Sequence, residues 1–172
     1  AGGEALTNYY AVLPTCMGWM GVVASERGIR RLALPQPSPQ RAVETIETDV
    51  SGAELSPARF EGLRHELEIC FTGNAPEFLQ ELDLEASPPF FLKAWVACRS
   101  IPRGETRSYA WLAAQAGNPG AIRAAGQAMA HNPVSIIIPC HRVVASNGDL
   151  WGYGGGLDLK RRLLDLERAL RL

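Results

Sequence analysis

No stretch of this chain approaches the ~18–20 consecutive apolar residues of a membrane-spanning helix, so a helical membrane protein is not expected. Its four cysteines (Cys16, Cys70, Cys98 and Cys140) form no C-x-x-C pair, and no signal-peptide-like segment precedes them. Free thiols in a reducing cytoplasm are therefore expected rather than a disulfide framework. Net charge is almost absent, at -1, yet it is unevenly placed. Residues 1–92 hold six Arg and thirteen Asp or Glu, a balance of -7, and residues 93–172 carry +6. Such asymmetry suggests that the C-terminal half meets a polyanion while the N-terminal half stays solvated. With 47% hydrophobic residues over 172 positions, the chain can bury one core or two small ones.

What is present reads as an α/β chain. Residues 7–13, 17–24 and 28–34 are short and rich in Tyr, Val, Leu, Trp and Ile, which predicts a β-meander with turns at Pro14 and at Arg27-Gly28. Ser38-Pro39 supplies an N-cap and first position for a helix through Ala42, Val43 and Ile46, and Ser56-Pro57 repeats the pattern before Phe60, Leu63, Leu67 and Cys70. Cys70 fits that apolar stripe as a core thiol. The acidic, turn-rich stretch 72–89 reads as an interdomain linker, dividing the chain into domains 1–87 and 88–172. The second domain is mostly helical. Phe91, Trp95 and Cys98 mark one helix, Ser108 caps a short second over 109–116, and Asn118-Pro119 caps a third over 120–130. The last pair has the outline of a helix-turn-helix. A final helix starts near Asp158 with Leu159, Leu163, Leu166 and Leu170 on one face and Glu167 at its edge.

The chemistry concentrates in Pro139-Cys140-His141-Arg142. Three isoleucines (Ile136, Ile137, Ile138) precede it as a short β-branched run, the composition of a buried strand. A thiol beside an imidazole is a candidate activated nucleophile, because the thiolate is the reactive species. Neighbours in a regular strand point to opposite faces, so Cys140 and His141 can cooperate only through a turn or a bridging water. A Cys-His hydrolase or acyltransferase is compatible with that pair alone. Nearby, Asn132 precedes Pro133 as turn chemistry, and Asn147-Gly148 is a tight-turn dipeptide. The run Trp151-Gly152-Tyr153-Gly154 lets backbone approach a planar ligand closely. The helix 120–130 is seven-elevenths Gly and Ala, and Arg123 is its lone charge.

Taken together, the aliphatic run, Pro-Cys-His-Arg-Val, the Asn-Pro turn and the glycine-rich tail resemble the active-site segment of O6-alkylguanine-DNA alkyltransferases. The resemblance runs from about Phe90 to Leu170. It implies a DNA-repair protein that flips O6-methylguanine from double-stranded DNA and transfers the alkyl group irreversibly to Cys140. It also implies a Cys–water–His–Glu relay through His141 and Glu167, with Asn132 tying the recognition helix to the active-site strand. Tyr109, Tyr153 and Gly154 would bind the base, with a core aromatic as the other reading of Tyr109. Arg123 would fill the space left by the flipped nucleotide, and Ser108, Asn118 and Ser146 are candidate phosphate contacts. A monomer without cofactor, in the cytoplasm or in a nucleus, is the expectation.

Two departures stand out. Some relatives hold zinc in the N-terminal domain through Cys and His, but the corresponding positions here offer Ser25 and Arg30, and the only histidine of that half is His65. About four ligands are needed, so no metal is expected. Trp151 stands where many relatives have a small residue. It either narrows the base pocket against bulky alkyl groups or turns outward. A damage sensor that flips bases without chemistry is the rival binding reading.

Overall fold

In the computed structural model, which describes residues 7–84, 87–150 and 152–168, three alternating strands build the N-terminal sheet. β1 (Tyr9–Thr15), β2 (Gly18–Ser25) and β3 (Gly28–Leu32) form the predicted antiparallel meander. β4 (Glu54–Leu55) joins Tyr9 and Tyr10 in parallel, giving the order β3-β2-β1-β4. Pro14 does not turn the chain. It sits inside β1 opposite Trp19, whose own N–H and C=O are bonded to Gln36 on the far side. The pair is thus a non-hydrogen-bonded one, and the amide proton that proline lacks would have pointed outward. The reversal falls instead at Cys16 and Met17.

α1 (Pro39–Ile46) begins as predicted, with the Ser38 hydroxyl accepting a hydrogen bond from the Arg41 amide. It lies so close on β2 that a Cβ at Gly21 would stand 2.8 Å from the Ala42 carbonyl oxygen. Ser56 does not repeat the capping device. A 3-10 turn over Pro57–Phe60 leads into α2 (Glu61–Phe71), which buries Leu63, Leu67 and Cys70. The stretch after α2 is no free tether. Ile29 and the 81–83 segment exchange two 2.8 Å backbone bonds along the edge of β3, and the Ser25 hydroxyl donates to Asp83 at 2.6 Å.

α3 (Pro89–Arg99), α4 (Tyr109–Gln115) and α5 (Ile122–Ala130) pack together, with the Trp95 indole N–H donating to the Ala128 carbonyl at 2.8 Å. Ser108 caps α4 through the Trp111 amide, and Gly117, at φ +95°, reverses the chain behind it. α5 starts two residues later than the sequence suggests, because the Asn118 side chain accepts from the Gly120 amide and makes a turn there. β5 (Arg107–Ser108) pairs in parallel with β6 (Val143–Val144), and α6 (Leu157–Arg168) closes the fold. One continuous core runs from Leu13 and Leu67 through Trp95 and Leu112 to Ile138 and Leu163.

Two further local expectations are overturned. The isoleucine run is a turn, not a strand, and the short strand lies after the cysteine, at β6. The Asn132 side chain closes the turn by accepting from the Val134 amide and donating to the Ile138 carbonyl, while Ile138 N–H returns to Val134. Ile136 is held at φ +74° inside this clamp, a strained conformation for a β-branched residue. On α6, Leu159 and Leu166 are only half-buried, and Leu170 lies outside the described residues. The buried stripe is Lys160, Leu163, Leu164 and Glu167, one helical face offset by a residue from the predicted one.

Candidate active site

Cys140, His141 and Arg142 form a single 3-10 turn immediately after Pro139. The turn resolves the difficulty posed by a strand, in which the thiol and the imidazole would point to opposite faces. Behind it stands α6. His141 Nε2 lies 2.7 Å from Glu167 Oε1, and both side chains are buried. Arg142 grips the same carboxylate through Nε at 3.0 Å and Nη2 at 2.8 Å, and its Nη1 donates to the Ile101 carbonyl. Burial pushes the Glu167 carboxyl up, but the hydrogen bonds from His141 and Arg142 outweigh it and hold the group at about 2. Burial pushes His141 down, against the attraction of Glu167. The ring is thus neutral beside an ionised carboxylate. Nε2 must carry the proton, and Nδ1 presents a lone pair. Nδ1 is enclosed and meets no protein partner.

The thiol side is also buried. Desolvation pushes the Cys140 thiol up, opposed by a hydrogen bond with Asn132 and by the Lys160 ammonium. Lys160 is fully buried, donating to the Val143 carbonyl at 2.7 Å and lying 5.9 Å from the Tyr109 ring centre. Its ammonium is pushed down by burial and held up by the neighbouring thiols.

In front of Cys140 opens a cleft of about 670 Å³. Tyr109, Asn132, Tyr153 and Gly154 line it, as does Arg123 from α5, an exposed residue. Burial pushes both phenols up, so Tyr109 and Tyr153 stay protonated donors. Ser108, Asn118 and Ser146 are not in the cleft wall. Ser108 and Asn118 serve local turns and Ser146 is exposed, all on the C-terminal half. Trp151 lies outside the described residues. Of the zinc-position candidates, Ser25 is bonded to Asp83, and Arg30 and His65 are exposed.

Comparison with known proteins follows the same residues. Positions 89–169 match the family model described as 6-O-methylguanine DNA methyltransferase, DNA binding domain. A methylated-DNA–protein-cysteine methyltransferase of Mycolicibacterium paratuberculosis is 49% identical over 125 residues, 73% of this chain and 75% of that one. One from Methanosarcina acetivorans is 36% identical over 159 residues, covering 92% and 97%. The crystal structure of Mycobacterium tuberculosis OGT in complex with DNA superposes with a TM-score of 0.80 at 38% identity, over 94% of this chain and 93% of that one. This chain belongs to the methylated-DNA–protein-cysteine methyltransferase family.

Three features of this family member escape the sequence reading. Arg142 stood in the quoted motif, yet its grip on Glu167 is a contact across 25 residues. Lys160 sits at helical spacing from Leu163, Leu164 and Glu167, and a stripe drawn from leucines alone passes over it. The cleft also has a wall from the N-terminal half, formed by Arg31, Leu34, Gln36 and Thr45, for which no local pattern gives a signal.

Proposed function

We propose that this chain is a DNA-repair protein that flips O6-methylguanine out of duplex DNA and transfers the alkyl group, once and irreversibly, to Cys140. The observation that carries the reading is one cleft holding both the Cys140 thiol and the Arg123 side chain of the second helix of the helix-turn-helix. Extruding a base costs a few kcal/mol of stacking, and an inserted side chain partly offsets it. Arg123 takes that role, with Ser108, Asn118 and Ser146 contacting phosphates. The +6 charge of the C-terminal half favours the encounter with DNA.

In the transfer step, His141 Nδ1 takes the thiol proton through a water, and Glu167 steadies the ring through Nε2. The thiolate attacks the O6-methyl carbon in line. The S–C bond forms as the C–O6 bond breaks, and the electron pair leaves on the guanine. Tyr109 and the backbone N–H groups of Tyr153 and Gly154 stabilise charge developing on the base, as an oxyanion hole does in acyl transfer. A thioether has no return path, so each molecule acts once. The chain works as a monomer in the cytoplasm, without cofactor, with 88–172 as the reacting domain and 1–87 supporting it. Peptide mapping after incubation with methylated duplex DNA tests this reading. One added methyl on the peptide carrying Cys140 is expected, with transfer lost and DNA binding kept in Cys140→Ala. Methyl on Cys16, Cys70 or Cys98, or an unmodified protein that still binds damaged DNA, would contradict it.

A further inference from the structure

The N-terminal half does more than brace the C-terminal one. We infer that Leu34, from the segment after β3, is a specificity-determining residue that fixes the glycine-rich wall of the base pocket and so sets how large an alkyl group it accepts. The inference rests on the reading of the Cys140 cleft given above.

Segment 32–36 is held rigidly at both ends. Leu32 N–H donates to the Pro133 carbonyl at 2.9 Å, and Ser135 N–H returns to the Leu32 carbonyl at 3.0 Å, so this end is bonded to the same turn that Asn132 organises. At the other end, Gln36 and Trp19 exchange two backbone bonds of 2.8 Å. Between them, Ala33 N–H donates to the Gly21 carbonyl. Leu34 therefore projects from backbone that cannot drift, and its side chain meets the glycine loop. A Cβ built on Gly154 would stand 3.7 Å from Leu34 Cδ1, ordinary van der Waals contact. One on Gly155 would stand 3.1 Å from Leu34 Cδ1 and 2.5 Å from Leu159 Cδ2. Leu34, from the segment after β3, and Leu159 of α6 thus both crowd the Cβ position of Gly155, so the loop rests against these two side chains. Leu34 and Gly154 both line the cleft that ends at Cys140. Close-packed interiors transmit such a constraint, since each contact has nowhere to yield.

Shortening Leu34 removes the backstop and lets the loop withdraw from the alkyl group. Enlarging it drives the loop inward. The discriminating measurement is the rate constant of inactivation by free O6-benzylguanine relative to free O6-methylguanine, which separates pocket size from DNA binding. Leu34→Ala should raise the benzyl-to-methyl ratio roughly ten-fold, the scale on which a hydrophobic pocket separates ligands of different size. Most of the change should lie in the half-saturating concentration of the benzylated base. Leu34→Phe should lower the ratio, and Leu34→Met should restore it towards wild type. Binding of unmodified duplex should be the same in all four proteins, and thermal melts establish that each is folded. An unchanged ratio in folded Leu34→Ala and Leu34→Phe would overturn the assignment. Wild type that accepts methyl from DNA on Cys140 in the same experiment keeps that failure separate from a failure of the repair reading itself.

Discussion

The two halves of the molecule treat charge in opposite ways. In the N-terminal half the ion pairs lie at the surface, as between Arg31 and Asp49 or Arg64 and Glu61, with solvent on every partner. In the C-terminal half His141, Lys160 and Glu167 are all buried, and they are the only buried His, Lys, Arg, Asp or Glu among the described residues. Burying ionisable groups is costly unless each finds a partner, and three of them gathered beside one thiol mark that turn as the candidate site. The acidic half keeps its paired charges in solvent, and the basic half keeps three ionisable groups inside.

Changes that leave a buried charge unpaired should separate the halves most clearly. Glu167→Ala strands the Arg142 guanidinium and removes the orienting partner of His141. A loss of about 3–5 kcal/mol in denaturant unfolding is expected, together with a collapse of the inactivation rate. Acid should act on the same pair. The Glu167 carboxyl titrates near 2 in the fold against 4.5 when free, so the stability it contributes is present above pH 4.5 and lost as pH falls towards 2. The loss amounts to about 3 kcal/mol at most. His141 acts in the same direction. Its folded pKa is depressed below 6.5, so protonation favours the unfolded chain once pH drops below that value. A melting-temperature profile should fall on the acid side, and Glu167→Gln should remove the part of the fall below pH 4.5 while the part due to His141 persists.

Smaller effects sharpen the contrast. Lys160→Met keeps the volume but leaves the Val143 carbonyl without its donor, for a cost of about 1–3 kcal/mol in the same unfolding assay. Arg123→Ala should slow repair of duplex DNA by about ten-fold, the effect of ~1.4 kcal/mol on a barrier. Reaction with the free alkylated base should be unaffected, and equal losses on both substrates would remove Arg123 from the flipping step. At the other extreme, Arg64→Ala, on an exposed pair of the N-terminal half, should leave the unfolding midpoint and the reaction where they are.

The legibility of the sequence follows from range. Where a signal is local, it could be read. The meander alternates in period two, Ser38 and Ser108 cap the helices they precede, and Glu167 falls at the core border by helical arithmetic. The motif around Cys140 pointed to the correct family. The isoleucine run misled because a short β-branched segment has the same composition in a strand and in a clamped turn, and the clamp is a side chain four to six residues away. Lys160 was hidden because a buried ammonium needs a carbonyl that only the folded 140–144 segment provides. The contribution of Leu34 to the cleft depends on a sheet edge meeting a loop 120 residues later, and nothing adjacent to it announces that contact.

The central claim is that Cys140 is the sole, single-use acceptor. A titration of the protein with increasing O6-methylguanine-containing duplex, followed by intact and peptide mass measurement, tests it directly. The account predicts a plateau at one methyl per protein, all of it on Cys140. Continued loss of methyl from the DNA beyond one equivalent, or a plateau shared with another cysteine, would contradict it.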